Sequence, residues 1–128
     1  MKILVIDDEP SIGRCVSLML SPLNWTVDYA GTAESGVELV EKGEYDFVLL
    51  DYRMPGNDGI WFMKNARIPR RTKSLLMTAF INRGVINEMF KLGAVGYILK
   101  PFDEQELMKH LNFHSGALAV KQDGKVSS

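Results

Sequence analysis

The chain has 128 residues, a formal net charge of −1 at pH 7, 46% hydrophobic and 24% charged residues, the proportions of one ordinary globular domain with a single core. So balanced a charge creates no field suited to nucleic acid or an anionic membrane surface, and no apolar run approaches the ~18 residues that a membrane span needs. The lone Cys15 can form no internal disulfide, and "ILVI" before Asp7 is too short for a signal-peptide core, so a cytoplasmic protein in a reducing compartment is expected.

"ILVI" (3–6) is compact and rich in β-branched residues, which predicts a fully buried strand. Ile12, Cys15, Val16, Met19 and Leu20 then recur at helical spacing, behind Pro10 near the first turn, and predict one inward helix face. "WTVDYA" (25–30) reads as a second strand. Thr32 is the candidate N-cap of a helix carrying Ala33, Val37 and Val40. "FVLL" (47–50) is a third strand, and Asp58 can cap a short helix with Phe62, Met63 and Ala66 inward. "LLM" (75–77) is a fourth strand; Val85, Ile86, Met89 and Leu92 mark a fourth helix, stopped by Gly93. "YIL" (97–99) is the fifth strand, and Asp103 starts a last helix carrying Leu107 and Leu111. Strands alternating with helices in this way predict an α/β fold, a parallel sheet covered on both faces. Residues 1–114 form the expected domain. From Ser115 the apolar period is lost and Gly and Ser enter, which predicts a flexible tail or the start of a linker over 115–128.

Ligands of open α/β sheets bind outside the carboxyl ends of the strands. The first strand runs into Asp7 and Asp8, the third into Asp51, the fourth into Thr78, and the fifth into Lys100 and Pro101. Three acids, a hydroxyl and an ammonium are therefore expected along one edge. Clustered carboxylates repel unless a hard divalent cation joins them, and Mg²⁺ takes carboxylate oxygens while keeping positions for water or phosphate. An acyl phosphate on Asp51 would find a metal, a lysine and a hydroxyl around its oxygens. Phosphoryl transfer asks for little more, since its catalysis is mostly positioning and charge neutralisation.

"VIDDEP", "LLDYRMPGNDG", "LLMTA" and "GYILKPF", in that order, resemble the strand-end motifs of the receiver domain of two-component response regulators. The resemblance runs from about Lys2 to Phe113. It implies a flavodoxin-like doubly wound sheet in the order 2-1-3-4-5. It also implies that Asp51 accepts a phosphoryl group from a sensor histidine kinase or phosphotransfer protein. Asp8 matches a direct Mg²⁺ ligand, Asp7 a ligand through water, and the Arg53 carbonyl the main-chain ligand. Thr78 matches the hydroxyl that moves toward the phosphate, Lys100 the phosphate-pairing lysine, and Tyr97 the switch aromatic. The Lys100–Pro101 peptide is expected to be cis, which proline makes accessible. The fourth helix, fifth strand and fifth helix would form the surface offered to a downstream effector protein or output domain. The chain would be no enzyme beyond phosphorylating and dephosphorylating itself. Tyr52 and Met89 depart from the family's smaller residues, and Arg53 with Phe80 occupy the variable positions that influence how fast phosphate is lost.

Plainer readings stand beside these. Asp7 and Asp8 could simply cap the first helix, Lys100 could be a turn lysine, and Tyr97 a core residue. Asp51 has no such alternative once Asp58 takes the capping role. "RIPRRTK" (67–73) carries four basic residues but precedes the fourth strand, at the amino edge, and reads as a solvated loop. His110 and His114 suit the end of the last helix, and no further ligand near them suggests a metal site. Two rival functions remain: a Mg²⁺-dependent aspartyl-phosphate phosphatase, which usually carries a second acid where Arg53 stands, and a pseudo-receiver that binds partners without phosphate. The complete acid, threonine and lysine set argues against the second.

Overall fold

In the computed structural model, residues 1–115 are described, so the tail expected from 115 lies outside them after its first residue. Five strands alternate with five helices: β1 (Lys2–Ile6), α1 (Pro10–Leu20), β2 (Thr26–Ala30), α2 (Ala33–Lys42), β3 (Phe47–Asp51), α3 (Gly59–Asn65), β4 (Lys73–Thr78), α4 (Arg83–Lys91), β5 (Gly96–Leu99) and α5 (Glu104–His114). Every strand pair is parallel and the order is β2-β1-β3-β4-β5. The strands start and stop within two residues of expectation, β3 and β4 running on to include Asp51 and Thr78 themselves. No described helix is long and apolar enough to cross a membrane.

Alternation along the strands divides the core in two. Ile3, Val5, Leu49, Leu75 and Ile98 face Val16 and Leu20 of α1 and Leu107 and Leu111 of α5. Leu4, Ile6, Val48, Leu50 and Leu76 face Val40, Phe62, Met63, Ile86 and Met89 from α2, α3 and α4. Ile3 through Ile6 are wholly buried. At roughly 1.5–3 kcal/mol for each buried aliphatic side chain, this pairing resists a register slip, which would exchange both faces.

Four helices open on side-chain caps. Thr32 accepts from the Ser35 amide, Asp58 from Trp61, Asn82 from Val85 and Asp103 from Glu106. The helix α1 has Pro10 in its first turn but no side-chain cap at Glu9. Neither Asp7 nor Asp8 is its cap residue, so the plainer reading of that pair is not met. Cys15 is exposed, contrary to the expected inward position. The stripe of α1 that meets the sheet is centred on Gly13, Val16 and Leu20, which leaves Cys15 at its margin. Arg71, in the basic loop before β4, pairs with Asp46 at 2.6 Å and Glu44 at 3.7 Å.

Candidate functional site

Strand order reverses between β1 and β3, and there the first and third strands deliver their acids side by side. Asp7, one residue beyond β1, has no exposed surface. Its backbone N–H donates to the Ala30 carbonyl at 3.1 Å. Its Oδ1 accepts from the Glu9 amide at 2.9 Å and its Oδ2 from Lys100 Nζ at 2.7 Å. Asp8 is exposed, yet a carboxylate oxygen of each of Asp7, Asp8 and Asp51 lies within 4.8 Å of the others. Among the described residues this is the only such group of three acidic, histidine or cysteine ligands.

Asp51 ends the fully buried β3 and is itself only 7% exposed. Lys100 Nζ stands 3.5 Å from its Oδ1. Burial pushes the Asp51 carboxyl up; Lys100 pulls it down, Asp7 and Asp8 push it further up, and it rests at about 6. Burial disfavours the Lys100 ammonium, but its hydrogen bond to Asp7 and the charge of Asp51 outweigh that and raise it. One lysine thus faces three carboxylates, an imbalance that a divalent cation with oxygen ligands would relieve.

Thr78 closes β4, and its hydroxyl donates to the Phe80 carbonyl at 2.7 Å while accepting from the Phe80 amide at 3.3 Å. A hydroxyl has one proton to give. The expected donor is therefore engaged by the loop after β4. Asp8, Asp51, Arg53, Thr78, Phe80 and Lys100 line one recess of about 310 Å³. Tyr97 lies outside it, half-buried on β5, lining a separate groove with Phe90, Leu99, Phe102 and His110. The Lys100–Pro101 peptide is cis, and the Lys100 amide donates to the Thr78 carbonyl at 2.8 Å.

One contact at the site has no counterpart in the sequence reading. The Tyr29 hydroxyl donates to the main-chain carbonyl of Asp7 at 2.5 Å. A tyrosine flanked at a distance by Gly13 and Gly31 is the only trace of it in the sequence, and spacing alone gives no reason to join them. His110 has an acidic neighbour, Glu106 at 3.3 Å one helical turn back, where no further ligand is expected from the sequence.

The family model of the response regulator receiver domain matches residues 3–112. The transcriptional regulatory protein ResD of Bacillus subtilis is 37% identical over 110 residues, covering 84% of this chain but 45% of ResD. The chain thus spans less than half of that relative's length. The chemotaxis protein CheY-3 of Vibrio cholerae is 35% identical over 116 residues, 88% of this chain and 89% of that protein. Among solved structures, the receiver domain of the sensor histidine kinase PA1611 of Pseudomonas aeruginosa superposes with a TM-score of 0.77 at 27% identity, over 90% of this chain and 97% of that one. That structure holds a magnesium ion in its active-site cleft.

Proposed function

Because the chain belongs to the response regulator receiver domain family of two-component systems, we propose that residues 1–114 act as a switch phosphorylated on Asp51. The observation that carries this is the buried Asp51 carboxylate, raised to about 6, beside two further acids and a lysine. At neutral pH most of it is ionised and able to attack. The donor is the phosphohistidine of a sensor kinase or phosphotransfer protein. The P–N bond to imidazole breaks as a P–O bond to Asp51 forms, and the leaving nitrogen keeps the electron pair and takes up a proton.

Asp51, Asp8, the Arg53 carbonyl and, through water, Asp7 would hold Mg²⁺. When bound, the cation supplies charge neutralisation for the phosphoryl oxygens. The magnesium in the PA1611 receiver cleft favours this assignment. Lys100, held at 2.7 Å by Asp7, stands ready to pair with a phosphoryl oxygen on Asp51. Thr78 reaches that group only by releasing the Phe80 carbonyl, so phosphorylation rearranges the loop after β4. The change passes to Tyr97 and to the face of α4, β5 and α5, where a downstream effector or output domain binds. Hydrolysis of the protein's own acyl phosphate resets the switch, and its place of work is the cytoplasm.

Incubation with Mg²⁺ and acetyl phosphate should raise the intact mass by one phosphoryl group, and Asp51→Asn should abolish the shift. Persistent labelling of the mutant at a single site would sink the assignment.

A further inference from the structure

Strand pairing between β1 and β2 ends at Ile6↔Ala30, so the Asp7 carbonyl is the first beyond the ladder. Tyr29, one residue back on β2, reaches across to donate its hydroxyl proton to that carbonyl at 2.5 Å. Its ring fits there because α1 and the end of β2 leave room for it. A Cβ on Gly13 would stand 2.7 Å from Tyr29 Cδ1, and one on Gly31 would stand 3.3 Å from the hydroxyl oxygen. The same carbonyl belongs to the peptide plane that carries the Asp8 amide and Cα. Fixing its oxygen fixes the direction in which Asp8 leaves the backbone.

We propose that Tyr29 is a positioning residue, whose hydroxyl locks the Asp7–Asp8 peptide so that the exposed Asp8 carboxylate is held toward Asp51. The inference rests on the reading of Asp7, Asp8 and Asp51 as a divalent-cation site. Asp7 needs little such help. Its side chain is buried and bound by Lys100 and the Glu9 amide, and its N–H by Ala30. The side chain of Asp8 makes no hydrogen bond or ion pair among those found in the described residues, so its direction depends on the peptide before it. The tyrosine therefore acts on cation affinity through the less constrained acid, and its effect disappears when the cation saturates.

Calorimetric titration of Mg²⁺ into wild type and Tyr29→Phe tests this, since phenylalanine keeps the ring and removes only the donor. The dissociation constant should rise roughly two- to tenfold, the range that one net intramolecular hydrogen bond represents. Labelling by acetyl phosphate should slow at limiting Mg²⁺ and recover at saturation, and the Asp8 and Glu9 amide resonances should move. Gly13→Ala, which pushes the ring aside while keeping the hydroxyl in the chain, should weaken Mg²⁺ binding in the wild-type background and add little in Tyr29→Phe. A lowered melting point with an unchanged Mg²⁺ constant in both variants would show a purely structural tyrosine and overturn the proposal. Wild type that binds no Mg²⁺ would instead remove the cation site itself, and the two failures cannot be confused.

Discussion

Asp51 carries a local conflict, an acid at the end of an otherwise apolar strand. Its carboxyl stands at about 6 in the fold against 3.8 for the free side chain. Between those values the folded state binds more protons than the unfolded one, so on this group's account stability falls as pH rises from about 4 to about 6, and the penalty is complete above. Asp51→Asn removes it and should stabilise the metal-free protein at about pH 7.5 by on the order of 1–3 kcal/mol. Thermal melts in EDTA check this, and the advantage should shrink at about pH 4.5. Excess Mg²⁺ should raise the wild-type midpoint by mass action and that of the mutant less. If the metal-free mutant melts lower and Mg²⁺ shifts neither protein, the acids do not form one site. The labelling rate at low Mg²⁺ should fall as pH drops through about 6, because the protonated carboxyl is no nucleophile. A rate that stays flat down to about pH 5 would contradict the raised carboxyl.

Helix starts press directly on the strand ends that hold the site. Gly59 opens α3 with its N–H donating to the Tyr52 carbonyl at 3.0 Å. A Cβ there would stand 2.9 Å from the Asp51 carbonyl oxygen and 3.1 Å from the Tyr52 Cα, both backbone atoms that cannot swing away. At Gly36 in α2 the closest atom, at 2.6 Å, is the Ile6 Cδ1, the far end of a flexible side chain. Gly59→Ala should therefore cost roughly 1–3 kcal/mol in urea unfolding, more than Gly36→Ala, although alanine favours both helices. It should also slow labelling of Asp51, since relief of the clash moves the carboxylate's own backbone. Equal costs for the two substitutions would contradict this account. The helix α1 opens without a side-chain cap, beside the strand end that carries the acidic pair. The Glu9 amide is taken by Asp7 Oδ1, within the acidic group.

From Asp51 to the far edge of the sheet, the route lies through β4 and β5. Thr78 pairs with Leu99, and Leu76 with Tyr97, so the hydroxyl and the aromatic ring share one face on adjacent strands. Beyond them a groove of about 670 Å³ opens between β5 and α5, bordered by the partly exposed Phe90 and Leu99. Beryllofluoride, a phosphoryl mimic, should shift the amide resonances of residues 80–110 more than those of α2. Shifts confined to the neighbours of Asp51 would mean that Thr78 and Tyr97 are not coupled.

Spacing along the chain was enough to specify the kind and chain order of the five strands and five α-helices, though not the short 3-10 turn at Ser21–Leu23. β-Branched runs, helical periods and the caps Thr32, Asp58 and Asp103 act over a few residues, and their chemistry is local. The convergence of Asp7, Asp8, Asp51, Thr78 and Lys100 on one edge was legible for a related reason. Parallel strands put all their carboxyl ends on the same side, so a list of strand ends is already a list of neighbours. Other features needed the folded chain. The Thr78 proton is held by Phe80, Tyr97 sits outside the acidic recess, and Cys15 faces solvent. Tyr29 reaches Asp7 across 22 residues and Lys100 reaches it across 93. Such contacts depend on strand register, rotamer and the room left by glycines in other elements, and only the packed sheet brings those together.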